Sequence, residues 1–215
     1  MAKAKATALH GAGAVDLRGA GPAEKWALPV AQARSRATRE RLLAAAEKVF
    51  ADKGYDGAKL ADIAAEAGVS VGAVYFRFKD KDALFQAIAE TFAEEVRARM
   101  QAIIAGGAPD AVIRTVVTGT AAQMRAHRGL FRAIVERGFE QDNDTIFAVR
   151  DEFAHVLERA LGRRRGDLAV KVMTQMIYGF LIAGVLNRQA PTRIGDARAI
   201  AGLADACIAY FRSVT

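Results

Sequence analysis

One cysteine stands in the 215-residue chain, so Cys207 has no intrachain partner and a disulfide framework is excluded. The three histidines, His10, His127 and His155, are scattered, and beside a lone thiol they form no metal-ligand spacing. Neither a structural metal nor a cofactor is expected, and a reducing cytoplasm fits this cysteine usage. Enzymatic signatures are missing too: there is no Gly-x-Ser-x-Gly elbow and no phosphate-binding glycine loop. What the chain has instead is an apolar fraction of 52% with 26% charged residues, enough to bury a sizeable core in one domain or two small ones. The balance is basic, 31 Lys and Arg against 24 Asp and Glu, which favours a polyanionic partner, nucleic acid or a membrane surface.

Residues 1–33 are rich in Ala and Gly, with Pro22 and Pro29, and contain no uninterrupted apolar core of the kind a secretion signal needs. They read as a flexible tail in which Trp26 and Leu28 are the candidates to dock on the body. From Ser35 the pattern becomes helical. Leu42, Ala46, Val49 and Phe50 share one face of a helix expected over 36–53, with Gly54 where a C-terminal glycine belongs. A second short helix, 60–67, buries Leu60, Ile63 and Ala64; Gly68-Val69-Ser70 interrupts it, and Ser70 caps a third over 71–78. Two short helices joined by a glycine turn, the second bearing Tyr and Arg, outline a helix-turn-helix.

The stretch ERLLAAAEKVFADKGYDGAKLADIAAEAGVSVGAVYFRFKDKDALFQAI closely resembles the N-terminal domain of the tetracycline-repressor family of bacterial transcriptional regulators. The resemblance rests on the Ala-Ala-x-x-x-Phe of the first helix, Gly54-Tyr55, Asp62-Ile63-Ala64, the turn Ala67-Gly68-Val69-Ser70, Tyr75, Phe78, and Lys81 with Leu84. It implies a DNA-binding regulator, acting as a homodimer on a palindromic operator in double-stranded DNA and responding to a small molecule.

The residues support that reading independently. Val74 and Phe78, four apart, face a small core with Phe50 and Ile63, which leaves Val71, Gly72, Ala73, Tyr75, Phe76 and Arg77 on the outer side to enter a major groove. With Lys59, Ser70, Lys79 and Lys81 these are the candidate DNA-facing residues. The Tyr75 hydroxyl suits a phosphate, and Arg77 suits a phosphate or a guanine edge. A cation at Lys81 opposes the dipole of the helix it opens, a conflict that a bound phosphate would resolve. Departures from the family pattern concern readout: Ala58-Lys59 stands where a hydroxyl cap is usual, and Ala61 and Ala73 are short where base-reading side chains are often found. A helical scaffold that binds a protein or acidic partner without reading an operator is therefore a competing class.

The fourth helix should run from Lys81 to about Ile104, roughly 36 Å, before Gly106-Gly107. Helical patterns follow over about 109–127, 130–137, 144–161, 167–188 and 196–213, and no strand-like alternation interrupts them. The expected fold is all-α with about nine helices: a helix-turn-helix domain over 34–81, and a ligand-binding and dimerisation domain over 82–215. Val172 to Leu186 is apolar on nearly every face yet short of the ~20 residues a bilayer requires, so burial against a second subunit is preferred to a membrane. Gly179, Ala183 and Gly184, with Ala199, Gly202, Ala206 and Ala209 of the last helix, are the candidate interface. Met100, Val117, Met124, Phe131, Phe147, Phe153, Met173, Met176 and Tyr178 are candidates to line an apolar ligand cavity, with Gln175, Thr118 and His155 as polar partners.

Overall fold

The computed structural model describes residues 29–104, 107–137, 144–187 and 189–214. Among the described residues the chain is all-α, with α1 (Pro29–Gly57), α2 (Leu60–Ala67), α3 (Val71–Tyr75), α4 (Lys81–Ile104), α5 (Pro109–Ala126), α6 (Arg128–Arg137), α7 (Asp144–Ala160), α8 (Leu168–Leu186) and α9 (Ala197–Ser213). It divides into two compact units, residues 1–38 and 39–215. In the first, the described part is helical, and the Thr38 hydroxyl donates to the Arg34 carbonyl at 2.9 Å. The expected tail is corrected here, because residues 29–33 are already helix. Proline at the first helical position loses no needed N–H and has a suitable φ, and the run AQARSRATRER is largely composed of good helix formers. Periodicity could not reveal this start, since Ala33 to Ala37 are all exposed and carry no apolar stripe. The rest of the tail, with Trp26 and Leu28, lies outside the described residues.

The second unit has a continuous apolar core. Helix α1 breaks at Gly54, whose φ of 77° favours glycine and whose Cβ, if it had one, would lie 2.4 Å from the Glu136 carboxylate oxygens. Gly68, at φ 65° and ψ 39°, ends α2 in the left-handed conformation, and the Val69 N–H returns to the Ala64 carbonyl at 3.0 Å. Helix α3 stops at Tyr75 rather than Phe78. There the N–H groups of Arg77 and Phe78 both turn to the Val74 carbonyl, which closes the ladder and swings Phe78 back into the core.

Beyond the helix-turn-helix, α4 packs on α7, α5 on α9, and α8 on α9. Helix α8 starts on the Asp167 carboxylate, which accepts from the Ala169 N–H at 2.9 Å, and ends at Leu186; the expected last residue, Arg188, lies outside the described residues. Its 19 residues reach a mean hydropathy of 1.6 over an 18-residue window, so by length and composition this helix could cross a membrane, correcting the impression left by the shorter apolar run. Only 33% of that window is buried within the chain, which leaves much apolar surface to be covered by something else.

Candidate nucleic-acid interface and ligand cavity

The helix-turn-helix is held from beneath and bare on top. Val74 and Phe78 are buried with Phe50 and Ile63, whereas Val71 is 40%, Tyr75 58% and Phe76 84% exposed. Such an aromatic surface on one short helix costs solubility unless a partner covers it. Lys59, Gly72 and Lys79 are exposed beside it, and Ala73 is half-buried. Ser70 uses its hydroxyl internally, accepting from the Ala73 N–H at 3.2 Å to cap α3. At α2 the missing hydroxyl cap is replaced from the other direction: the Asp62 carboxylate accepts the Lys59 backbone N–H at 3.2 Å. Lys53, 2.8 Å from the same carboxylate, holds the Asp62 carboxyl below its ordinary range.

Two expected DNA contacts point elsewhere. The Lys81 ammonium donates to the carbonyls of Tyr55 at 2.5 Å and Ala58 at 3.3 Å and lies 4.3 Å from the centre of the Tyr55 ring. Its conflict with the α4 dipole is thus met by carbonyls left over where α1 ends, with no phosphate needed. Arg77 folds back on α3, donating to the Ala73 carbonyl at 3.2 Å with its guanidinium 5.5 Å from the Phe76 ring centre; its Nε is buried without a partner.

Around Tyr55 the helix-turn-helix is fastened to α6. The Tyr55 backbone N–H donates to Glu136 at 2.5 Å, and its hydroxyl donates to Asp82, which also pairs with Arg137. Burial and the Asp82 hydrogen bond push the Tyr55 phenol well above its ordinary range, and that same hydrogen bond, with Arg137, keeps Asp82 ionised. The Arg137 guanidinium covers the rings of Tyr55 and Phe85 at 4.6 and 4.7 Å, and Arg132 donates to the carbonyls of Ala51 and Asp52 at 2.8 and 3.1 Å. Gly129 lets the helices meet, since a Cβ there would sit 2.0 Å from the Glu47 carbonyl oxygen.

The opposite face of α6 lines a cavity of about 790 Å³ with Phe131, Ile134 and Val135; α7 adds Ile146, Phe147, Arg150 and Ala154, and α8 adds Thr174, Gln175, Tyr178 and Ile182. A pocket of about 130 Å³, walled by Arg99, Met124 and Phe153, shares Phe92 and Tyr178 with it. Five of the nine residues expected at a cavity therefore line one: Met124, Phe131, Phe147, Phe153 and Tyr178. Met100, Val117, Met173 and Met176 do not. The first three are fully packed core, and Met176 packs against the core from the side. Of the polar partners, Gln175 and His155 line the cavity, while the Thr118 hydroxyl bonds its own helix at the Arg114 carbonyl. Arg99 and Arg150 are not singled out for the cavity by sequence, since single polar residues on amphipathic helices read as solvated; Thr174 sits in a run apolar on nearly every face, where no period marks which side meets space.

At the expected interface, Gly179, Ala183, Gly202, Ala206 and Ala209 are exposed and Ala199 half-buried; a Cβ on Gly179 or Gly202 would meet nothing within 4 Å. Gly184 differs, because a Cβ there would lie 3.1 Å from the Ile194 backbone nitrogen, so its smallness serves a contact within the chain.

The sequence pattern of bacterial regulatory proteins of the tetR family matches residues 42–88, from the core of α1 through the turn to the first part of α4. Over those residues the chain is similar to tetR-family regulators. It is 47% identical over 57 residues to the HTH-type transcriptional repressor BepR of Brucella suis biovar 1, covering 26% of this chain and 27% of BepR. It is 28% identical over 174 residues to the A-factor receptor protein of Streptomyces griseus, covering 78% of this chain and 59% of that protein. The matches thus span about a quarter of BepR and under two thirds of the A-factor receptor. The fold is shared with the TetR-family transcriptional regulator PfmR of Thermus thermophilus, at a TM-score of 0.62, 22% identity, and coverage of 79% of this chain and 94% of PfmR. A transcriptional regulator of Aquifex aeolicus VF5 is similar at a TM-score of 0.58 and 19% identity, covering 83% and 99% of the two chains.

Proposed function

We propose that this chain is a tetR-family, sequence-specific DNA-binding transcriptional regulator, a repressor released from a palindromic operator by a small molecule, working as a homodimer in the bacterial cytoplasm. The observation that carries it is the bare face of α3, with Val71, Tyr75 and Phe76 exposed above the buried Val74 and Phe78. In this reading residues 34–81 form the DNA-binding part and 82–215 the ligand-binding and dimerisation part. Tyr75 gives its hydroxyl to a phosphate, Val71, Ala73 and Phe76 contact thymine methyls, and Lys59 and Lys79 neutralise the backbone. With Ala61 and Ala73 short, DNA shape supplies much of the specificity.

A second copy is the preferred cover for the apolar surface of α8, because the open positions at Gly179 and Gly202 let helices approach closely. The likenesses to the BepR repressor and the A-factor receptor support regulation rather than catalysis. Selection of duplexes from a random pool tests the reading. Enrichment of one palindrome is expected, with tight binding that weakens as salt rises. Recovery of no preferred sequence would favour the scaffold class instead.

A further inference from the structure

The 790 Å³ cavity is apolar for most of its wall, yet its polar groups are out of balance. Its acids are already engaged: Glu158, buried, accepts the N–H groups of Gly166 at 2.7 Å and Asp167 at 3.1 Å and meets His155 at 3.0 Å, while Asp151 pairs with Arg150 at 2.9 Å. Its donors are not. The Thr174 side chain is more than nine-tenths buried, lines the cavity, and its hydroxyl has no hydrogen-bond partner among the described residues, not even a carbonyl of its own helix. An orphaned hydroxyl in an apolar wall costs about 1 to 3 kcal/mol, which a ligand acceptor would recover.

One turn along α8, the Tyr178 hydroxyl is also without a partner among the described residues. Burial pushes this phenol up to about 12, against the opposing pull of the Arg150 and Arg99 guanidiniums, so at neutral pH it remains a donor beside two cations. Arg150 stacks on Phe147 at 5.1 Å from the ring centre, which holds its guanidinium against the cavity wall. Arg165 and Lys171 line the same cavity and have no carboxylate partner among the described residues. Two hydroxyls and two cations of the lining are without protein partners among the described residues, both carboxylates are engaged, and much of the remaining wall is aromatic and aliphatic.

We propose that this cavity takes an organic anion with an apolar body, whose acidic head accepts hydrogen bonds from the Thr174 and Tyr178 hydroxyls and faces the Arg150 guanidinium. The proposal rests on the cavity being the regulatory site suggested above and adds the charge and shape of what occupies it. Phe131, Ile134 and Ile182 surround the apolar body; a cationic head of the same tail leaves the donors unpaired, and a neutral alcohol accepts from them without a charge to face Arg150.

Calorimetric titration of the full chain with decanoate, 1-decanol and decylammonium tests this. Decanoate should bind once per chain, at least about 10-fold more tightly than decanol, the worth of a charge-assisted hydrogen bond, and decylammonium should not bind. Thr174→Val and Tyr178→Phe, near-isosteric changes, should each weaken decanoate about 10-fold and decanol clearly less, with melting temperatures confirming the fold. Equal binding of all three compounds, binding of none, or variants that weaken decanol as much as decanoate would overturn the proposal. Decanoate binding as described without any loss of affinity for the selected palindrome would uphold the site and sink the ligand-release reading. Release of that palindrome only by neutral or cationic compounds would do the reverse.

Discussion

His127 places Nδ1 2.9 Å from the Glu47 carboxylate, joining the corner between α5 and α6 to the helix that begins the helix-turn-helix. Its other ring nitrogen lies 2.9 Å from Glu95 of α4, and the ring packs edge-on against Phe92. Both nitrogens therefore face acceptors, an arrangement only the imidazolium satisfies in full. Burial acts to lower the pKa of this ring, but the hydrogen bonds and charges of Glu47 and Glu95 together outweigh it, and the net direction is upward from 6.5.

A folded-state pKa above the unfolded value gives stability that is complete below the unfolded pKa and lost as pH rises through the folded one. Raising the pH from 6 to 8 should therefore lower the melting temperature, with Glu47 and Glu95 left facing each other across a neutral ring. His127→Gln should flatten this dependence and cost about 1 to 3 kcal/mol at pH 6. Melting curves of both proteins across that range decide it; parallel slopes would show that the ring does not titrate in this window.

Lys81 is expected to be a stability residue more than a DNA contact. Its ammonium already serves the carbonyls of Tyr55 and Ala58. Lys81→Ala should cost about 1 to 2 kcal/mol of unfolding free energy and leave the salt dependence of DNA binding nearly intact. The exposed Lys59 and Lys79 should do the opposite: each change to Ala lowers the magnitude of the salt slope by about one with little loss of stability. A Lys81→Ala protein of unchanged stability whose salt slope falls by one would restore the phosphate role.

Lys81 also shows where sequence reading stops. Spacing placed the helices well because a buried apolar residue every three or four positions is a local signal, and Gly54 and Gly68 marked turns that only a positive φ permits. The start of α1 at Pro29 escaped because Ala33 to Ala37 are exposed and leave no apolar stripe to read. The cluster of Tyr55, Asp82 and Arg137 brings together residues from three distant parts of the chain, Asp82 and Arg137 alone being 55 positions apart, and no periodicity reports which charged side chains meet across that distance. The cavity was half legible for the same reason. Aromatic and Met positions were identifiable as inward, but whether a residue such as Val117 or Met173 meets space or a neighbour depends on packing between helices.

Dimerisation makes a sharper demand. Gly202→Arg on α9 and Gly179→Arg on α8 start from exposed positions where a Cβ meets nothing within 4 Å, so each variant should keep its helical content and its melting behaviour as a monomer. Against a second copy the same side chains prevent close approach. Sedimentation at micromolar concentration should show a dimer for the native chain and monomers for the variants, with operator affinity collapsing in parallel. A native chain that sediments as a monomer would defeat the dimer reading outright.

The last prediction concerns how the cavity reaches the DNA. Helix α6 presents Phe131, Ile134 and Val135 to the cavity, while Arg132, Glu136 and Arg137 on its other side hold Ala51, Asp52, Tyr55 and Asp82. A ligand that shifts α6 must move the end of α1 and the start of α4 with it, because a close-packed contact such as that at Gly129 transmits displacement rather than absorbing it. In a dimer that motion changes the separation of the two α3 helices, which need about 34 to 36 Å to enter successive major grooves. Coupling of about 1 to 3 kcal/mol would weaken operator binding about 5 to 150-fold, and DNA would weaken ligand binding by the same factor. Arg132→Ala removes the grip on Ala51 and Asp52 without touching the cavity wall. It should leave ligand affinity of the free protein unchanged and shrink the difference between ligand affinities measured with and without saturating operator. If Arg132→Ala preserved that difference in full, α6 would not be the route, and α4 alone would have to carry the signal.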